Sequence, residues 1–156
     1  MAKMTFNMMD FTDNLITIRD NSRGMCKRAV YEGAEVALDE IRQAVKALPE
    51  EKHNGKTEMM YGVTSIEKDG LLSGLGATKM EDEGGMIYTK IGFSGYNGLK
   101  TKKYPNGQPN AMIARSICKG TSFRKRIPFV DKAVKKETIE NAIRVSFDSD
   151  LKKITK

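Results

Sequence analysis

At 156 residues, 39% hydrophobic and 30% charged, the chain has the length of one domain and enough apolar content to bury a real core. No apolar run approaches the ~20 residues a membrane-crossing helix needs, and Met1-Ala2-Lys3-Met4-Thr5-Phe6-Asn7 lacks the apolar segment of a secretion signal, so residence in a cytoplasm is expected. The net charge of +7 is unevenly placed, with 15 Lys and Arg against 5 Asp and Glu from Gly95 onward and 12 against 15 before it. Such asymmetry fits a surface facing nucleic acid or an acidic partner, and equally a solvated basic helix and tail.

Two cysteines, Cys26 and Cys118, stand far apart with no CxxC pair, and are expected as free buried thiols. The only histidine is His53, so the N and S ligands of a typical zinc site are lacking. No cofactor is expected either.

Residues 8–21 read as a short amphipathic helix with Phe11, Leu15 and Ile18 on one stripe. Asn21-Ser22-Arg23-Gly24 reads as a break, with Ser22 as N-cap of the next element. Met25–Leu48 is the strongest helix: Met25, Ala29, Val30, Ala34, Ala37, Leu38, Ile41, Ala44, Val45 and Leu48 recur at three- and four-residue steps. Gly33 inside it implies close packing on a neighbour. Pro49 ends it.

Glu50–Lys56 is polar. Gly55-Lys56-Thr57 imitates the end of a phosphate-binding loop, but the glycine required five residues earlier is Glu50, and a helix rather than a strand precedes it. Met59–Val63 reads as a short strand or a helix turn. Gly70-Leu71-Leu72-Ser73-Gly74 reads as a turn into a strand over Leu75–Met80, and Glu81–Gly85 as a polar hairpin loop. Met86–Phe93 is the clearest strand, its β-branched and aromatic residues flanked by glycine. Gly74-Leu75-Gly76 lacks the third glycine and following helix of a dinucleotide fingerprint.

Ser94–Asn110, with its Gly, Pro and Asn content, reads as a long basic loop. Tyr96, Lys100, Lys102, Lys103 and Tyr104 interleave aromatic and cationic side chains. That pattern suits a nucleic-acid strand, a protein partner, or a mobile loop. Asn110–Lys119 is a short helix or a buried strand. Gly120-Thr121-Ser122 then opens a junction with the triplet Arg124-Lys125-Arg126. Pro128 starts the last helix at the first helical position, with Phe129, Val130, Ala133, Val134, Ile139, Ala142 and Ile143 on its apolar face. Gly120, Pro128 and Phe129 are the expected structural anchors.

The order of elements predicts one α+β domain over 1–156, with an ordered core over about 8–145 and a flexible tail over 146–156. A long N-terminal helix and a C-terminal helix pack on a small antiparallel sheet, and a long basic loop follows the sheet. Nucleophilic catalysis needs a base beside a Ser or Cys, and His53 is the sole imidazole. The paired carboxylates Glu50/Glu51 and Glu81/Asp82/Glu83 fall in solvated stretches, whereas general acid–base work needs a desolvated one. A non-enzyme is expected, with no catalytic, cofactor-binding or metal-binding residues.

At Gly120-Thr121-Ser122 followed by Ile127-Pro128-Phe129-Val130-Asp131-Lys132-Ala133-Val134, the chain resembles the small tail-component or tail-completion proteins of long-tailed bacteriophages. That family looks like a long N-terminal helix, a "GxL" turn into a hairpin, a segment ending in Gly-Thr, and Pro-Phe entering a C-terminal helix. Here these are Met25–Leu48, Gly70-Leu71-Leu72-Ser73, about 75–93, Gly120-Thr121 and Pro128-Phe129, so the resemblance covers roughly 10–145. The family's aromatic-Ala pair and Glu before Gly-Thr are replaced by Asn110-Ala111 and Lys119, and the Lys-rich insertion is longer. The resemblance implies a virion protein of the head–tail neck, assembled in the host cytoplasm as a homo-oligomeric ring, a hexamer by analogy. Its neighbours would be a head-closure protein, a tail terminator or the tail tube, with DNA crossing the lumen. Lys100, Lys102, Lys103, Arg124, Lys125 and Arg126 are the candidate partner or DNA contacts, and a solvated turn is the other reading of the triplet. A small basic nucleic-acid-binding module is the alternative function.

Overall fold

The computed structural model describes residues 8–52 and 59–154, and side chains from Thr12 onward. Helix α1, Met8–Lys46, runs 39 residues without interruption, about 58 Å at 1.5 Å per residue. The break expected at 21–24 is absent. Side chains there bond backward along the helix instead of ending it: Asn21 Nδ2 donates to Thr17 O at 2.8 Å, and Ser22 Oγ to Arg19 O at 2.8 Å. Gly24 costs only its propensity of about 1 kcal/mol, which the packing of the rest of α1 outweighs.

Helix α2 spans Ser65–Gly74, where a turn was expected over 70–74. Thr64 and Glu67 start it reciprocally. Thr64 Oγ1 accepts from Glu67 N at 3.3 Å, and Glu67 Oε2 accepts from Thr64 N at 2.9 Å, two otherwise orphaned donors satisfied at once. Gly70 and Gly74 lie on its buried face. A Cβ on Gly70 would come within 2.7 Å of Asn110 Oδ1, and one on Gly74 would fall on the Ser94 carbonyl oxygen. The glycines therefore serve close approach of the following loop, not a turn.

The ribbon over 75–93 is one antiparallel hairpin in two registers. Strand β1 (Leu75–Ala77) pairs with β4 (Ile91–Phe93), Leu75 opposite Phe93; β2 (Glu81–Glu83) pairs with β3 (Met86–Tyr88), Glu81 opposite Tyr88. Residues 78–80 face only 89–90, a one-residue surplus of the bulge kind, where Thr78 N donates to Lys90 O at 2.8 Å. Gly84 and Gly85, at φ +59° and +87°, make the two-residue turn, which demands positive φ at both positions. Glu81–Glu83, expected as loop, is thus a strand.

Helix α3 is Asn110–Lys119, resolving the helix-or-strand choice. The single last helix that was expected is two, a short α4 (Phe129–Ala133) and α5 (Lys136–Ile154). Pro128 is the residue before α4 and not its first helical one. The division lets Phe129 enter the core while α5 turns to run along α1. There Lys135 N donates to Glu40 Oε2 at 3.0 Å, and Arg28 Nε to Asp150 Oδ2 at 2.5 Å. The two helices are antiparallel, and a Cβ on Gly33 would come within 2.7 Å of Ile143 Cγ1. Residues 146–154, expected as a flexible tail, belong to this packed helix and include buried Asp150.

The main core joins Ile41 and Val45 of α1 and Leu48 just after it with Val63, Leu71 of α2, Ile113, Ala114 and Ile117 of α3, and Phe129. Leu75, Ile91 and Phe93 of the inner hairpin pack against it. The rings of Phe93 and Phe129 sit 6.1 Å apart in tilted contact, a geometry worth about 0.5–1.5 kcal/mol beyond area burial. The architecture is α+β. The sheet is a two-stranded ribbon pressed on the core, and α1 and α5 pack chiefly on each other.

Candidate functional site

The junction Gly120–Ile127 leaves α3 through Gly120, at φ +76°, whose N–H still donates to Ser116 O at 2.9 Å. A tight turn follows, with Thr121 N donating to Arg124 O at 2.9 Å. Met60 lies alongside: its N donates to Phe123 O at 2.8 Å and its O accepts from Lys125 N at 2.8 Å. Ile127 N donates to Ile117 O at 2.8 Å. This backbone lacing turns one side chain of the triplet inward and leaves the other two outside.

Arg124 turns inward. Its side chain is 3% exposed and pairs with Glu67, 7% exposed, through Nη2 and Oε1 at 2.7 Å. Its placement corrects the expectation of an Arg124 contact with DNA or a partner, because a guanidinium buried against a carboxylate presents no charge at the surface. Lys125 and Arg126 remain exposed. Lys125 stands 5.2 Å over the Tyr61 ring, and Arg126 Nε donates to Cys118 O at 3.3 Å.

Glu67 is thus a double fastening, one oxygen capping α2 and the other holding Arg124. Arg124 Nη1 reaches Ser116 Oγ only at 3.4 Å, and its Nε is buried with no hydrogen-bond partner. Above the pair lies a cavity of about 360 Å³ lined by Met60, Leu99, Met112, Ile113 and Phe123, among others. Phe123, 53% exposed, and Met112 are the exposed large apolar side chains of its lining.

The long loop 94–110 is organised at its base. Asn97 is buried and its Oδ1 accepts from Leu99 N and Gln108 N, each at 3.0 Å; Asn97 N donates to Gln108 O at 2.9 Å. Asn110, also buried, donates from Nδ2 to Ser94 O at 2.8 Å. Lys100, Lys102 and Lys103 are exposed. Tyr104 Oη donates to Met112 Sδ at 3.3 Å and carries Lys103 Nζ 5.5 Å from its ring centre. The loop thus touches the cavity lining at Met112 through Tyr104, and Lys125 is bonded through its backbone to Met60. Among the described residues none of Lys100, Lys102, Lys103, Lys125 and Arg126 forms an ion pair.

A second groove, about 880 Å³, lies between α1 and α5, lined by Tyr31, Val36, Ala142 and Val145 with Arg28, Asp150 and Lys153. The carboxylates considered for chemistry have structural partners. Glu50 holds Lys68 Nζ at 2.9 Å, Glu51 accepts from Tyr61 N at 2.9 Å, and Asp82 pairs with Arg23 at 2.5 Å. The Arg23 guanidinium holds the Asp82 carboxyl below its usual range. Glu81 accepts from Tyr88 Oη at 2.6 Å, which pushes the Tyr88 phenol up to about 12.

Cys26 and Cys118 are free and half-buried. Among the described residues no group of three or more His, Cys, Asp or Glu could hold a metal ion, and no helix is long and apolar enough to cross a membrane. His53 and Gly55-Lys56-Thr57 lie outside the described residues. The sequence reading missed Glu67, Asn97, Asn110, Met112 and Phe123. Only Glu67 had a local signal, the Thr64-Ser65-Ile66-Glu67 capping spacing. Compared with protein-family models, curated proteins and solved structures, the chain matches none.

Proposed function

We propose that the chain is a non-enzymatic structural subunit of the head–tail connector of a long-tailed phage, a ring protein between the portal side of the capsid and the tail tube. The observation that carries this reading is the order of elements: long helix α1, a glycine-bearing segment, the hairpin, α3, Gly120-Thr121, then Pro128-Phe129 entering the C-terminal helices. The tail-completion proteins that the sequence resembles look like a similar succession, with a turn into the hairpin where α2 stands here. Phe129 is buried at 5% exposure in the core, and Gly120 adopts the positive φ that ends α3, so the residues carrying the resemblance have structural work that explains them.

A ring subunit needs rigid lateral faces and loops for axial contacts, and closed rings repeat one heterologous interface by rotation. The α1–α5 pair and the hairpin supply rigid faces, and the loop 94–110 projects cations toward an axial neighbour or lumen DNA. Virion proteomics tests the reading directly, since the chain is expected in mature particles. Removing its gene is expected to leave filled heads and separate tails. Joined, infectious particles without the chain would refute it.

The stacking of Lys125 on Tyr61 and Lys103 on Tyr104, with Tyr96 exposed nearby in sequence, favours one second reading, a nucleic-acid-binding module. Binding would then fall with salt at a log–log slope of about −0.9 per phosphate contacted on duplex DNA. An absence of binding at about 50 mM salt removes that reading.

A further inference from the structure

Helix α5 is held from one side. It packs on α1 and on no other element to a comparable extent. Ile139, Ile143, Phe147 and Leu151, four residues apart, are each half-buried, the first two against Gly33. Asp150 is the one buried residue among its 19. Helix α3, with only 10 residues, buries Asn110, Ile113, Ala114 and Ile117. Beside the half-buried row of α5 lies the groove it forms with α1, where Val145 is 59% and Tyr31 60% exposed.

Asn141, Val145 and Ser149 form an exposed, uncharged row along this groove. Next to it, at the same four-residue step, runs a second exposed row, Glu140, Arg144, Asp148 and Lys152, whose charges alternate in sign. Such charges can pair along one helix. Here only Glu140 does so, with Lys136 at 3.4 Å in an exposed contact of small worth. Among the described residues Arg144, Asp148 and Lys152 form no ion pair. The charged row is its own complement when reversed. An antiparallel copy sets Arg144 opposite Asp148 and Glu140 opposite Lys152, both centred on residue 146. The uncharged row reverses about Val145, one residue away, with Asn141 opposite Ser149. A parallel copy would set every charge against its like.

We propose that α5 pairs with α5 of a second copy of the chain, antiparallel about a two-fold axis at Val145, each copy covering the other's α1–α5 groove. The uncharged row and Tyr31 lie under the contact, and the alternating row closes its side with ion pairs between copies. A contact of this kind is isologous and complete at two copies. It does not rest on the phage reading, because a ring needs a separate, heterologous contact. The pairs at its side lie near solvent, so association falls with rising salt.

The test uses the full chain, with light scattering after size exclusion across its soluble concentration range and circular dichroism as the check on folding. Val145→Asp, Arg144→Glu and Asp148→Arg change exposed residues. Each is expected to weaken the wild-type dimer by about 10-fold or more, since like charges or a buried carboxylate then face each other. The double variant Arg144→Glu/Asp148→Arg keeps the row its own complement and is expected to regain the dimer. Cysteine linkage reads the geometry. Val145→Cys is expected to link to itself, and Asn141→Cys to link to Ser149→Cys in a mixture in preference to itself. A wild type that stays monomeric overturns the pairing, as does a dimer that Val145→Asp leaves intact. A folded double variant that remains as weak as the single ones overturns the antiparallel charge match. A larger ring that survives Val145→Asp overturns the pairing and leaves the ring reading standing.

Discussion

Arg124 and Glu67 hold three segments together, α2, the strand-like stretch at Met60, and the junction after α3. Removing one member of a buried ion pair leaves the other charge desolvated and alone, which costs about 3–5 kcal/mol. Arg124→Ala is therefore expected to lower the urea unfolding midpoint strongly, whereas Arg126→Ala, at an exposed position, should leave it nearly unchanged. Equal midpoints would show that the pair does not hold the junction. Tyr88 gives a second test at this scale. Its phenol donates to Glu81 and is pushed up to about 12, so the folded state prefers the protonated form. The stabilisation is present below the unfolded value of about 10 and is lost as pH rises toward 12. The ultraviolet titration difference between wild type and Tyr88→Phe is expected to show a late phenol, and Glu81→Gln is expected to move it back toward 10.

Among the elements, α2 shows how packing redefines glycine. In an exposed helix Gly→Ala stabilises by up to about 1 kcal/mol. At Gly74 the new methyl would strike the backbone carbonyl of Ser94, which has no rotamer to yield. Gly74→Ala is expected to destabilise by roughly 1–3 kcal/mol, the usual range for overpacking. Gly92→Ala, with nothing within 4 Å of the added carbon, serves as the control and is expected to stay within about 0.5 kcal/mol. Thermal melts of the pair decide it, and a stabilised Gly74→Ala would show that the loop does not rest on α2. The hairpin carries the same lesson in reverse. Gly84-Gly85 was legible as a turn from composition, but the one-residue surplus at 78–80 depends on Thr78 bonding to both Thr89 and Lys90.

For the whole molecule, two acid-sensitive clamps hold the far reaches of α1 to the rest. Asp82 of the hairpin meets Arg23, and Asp150 of α5 meets Arg28 and Lys153. Hydrogen bonds from these cations hold both carboxyls below their ordinary values. Their contribution is therefore complete above the unfolded carboxyl value of about 3.9 and is lost as pH falls through the lower folded values. Amide exchange of residues 146–154 is expected to accelerate in that acid range in wild type, while Asp150→Asn already exchanges fast at neutral pH and changes little on acidification. Identical protection in the two proteins would mean that Asp150 does not clamp α5.

The sequence by itself determined the α+β class, the helical core of α1 from its three- and four-residue apolar steps, the hairpin from its β-branched residues and glycine turn, and the basic second half. These features are written in local periodicity, turn chemistry and composition. It did not separate α4 from α5, since their apolar stripe is continuous and only the need to seat Phe129 and then follow α1 divides it. Nor did it distinguish Arg124 from Lys125 and Arg126. The tertiary structure decided that by placing Glu67, 57 residues away in sequence, where one guanidinium of the triplet could be buried. Long-range pairing leaves no local pattern, so the charge run read as uniform until the fold brought its partner to one member of it.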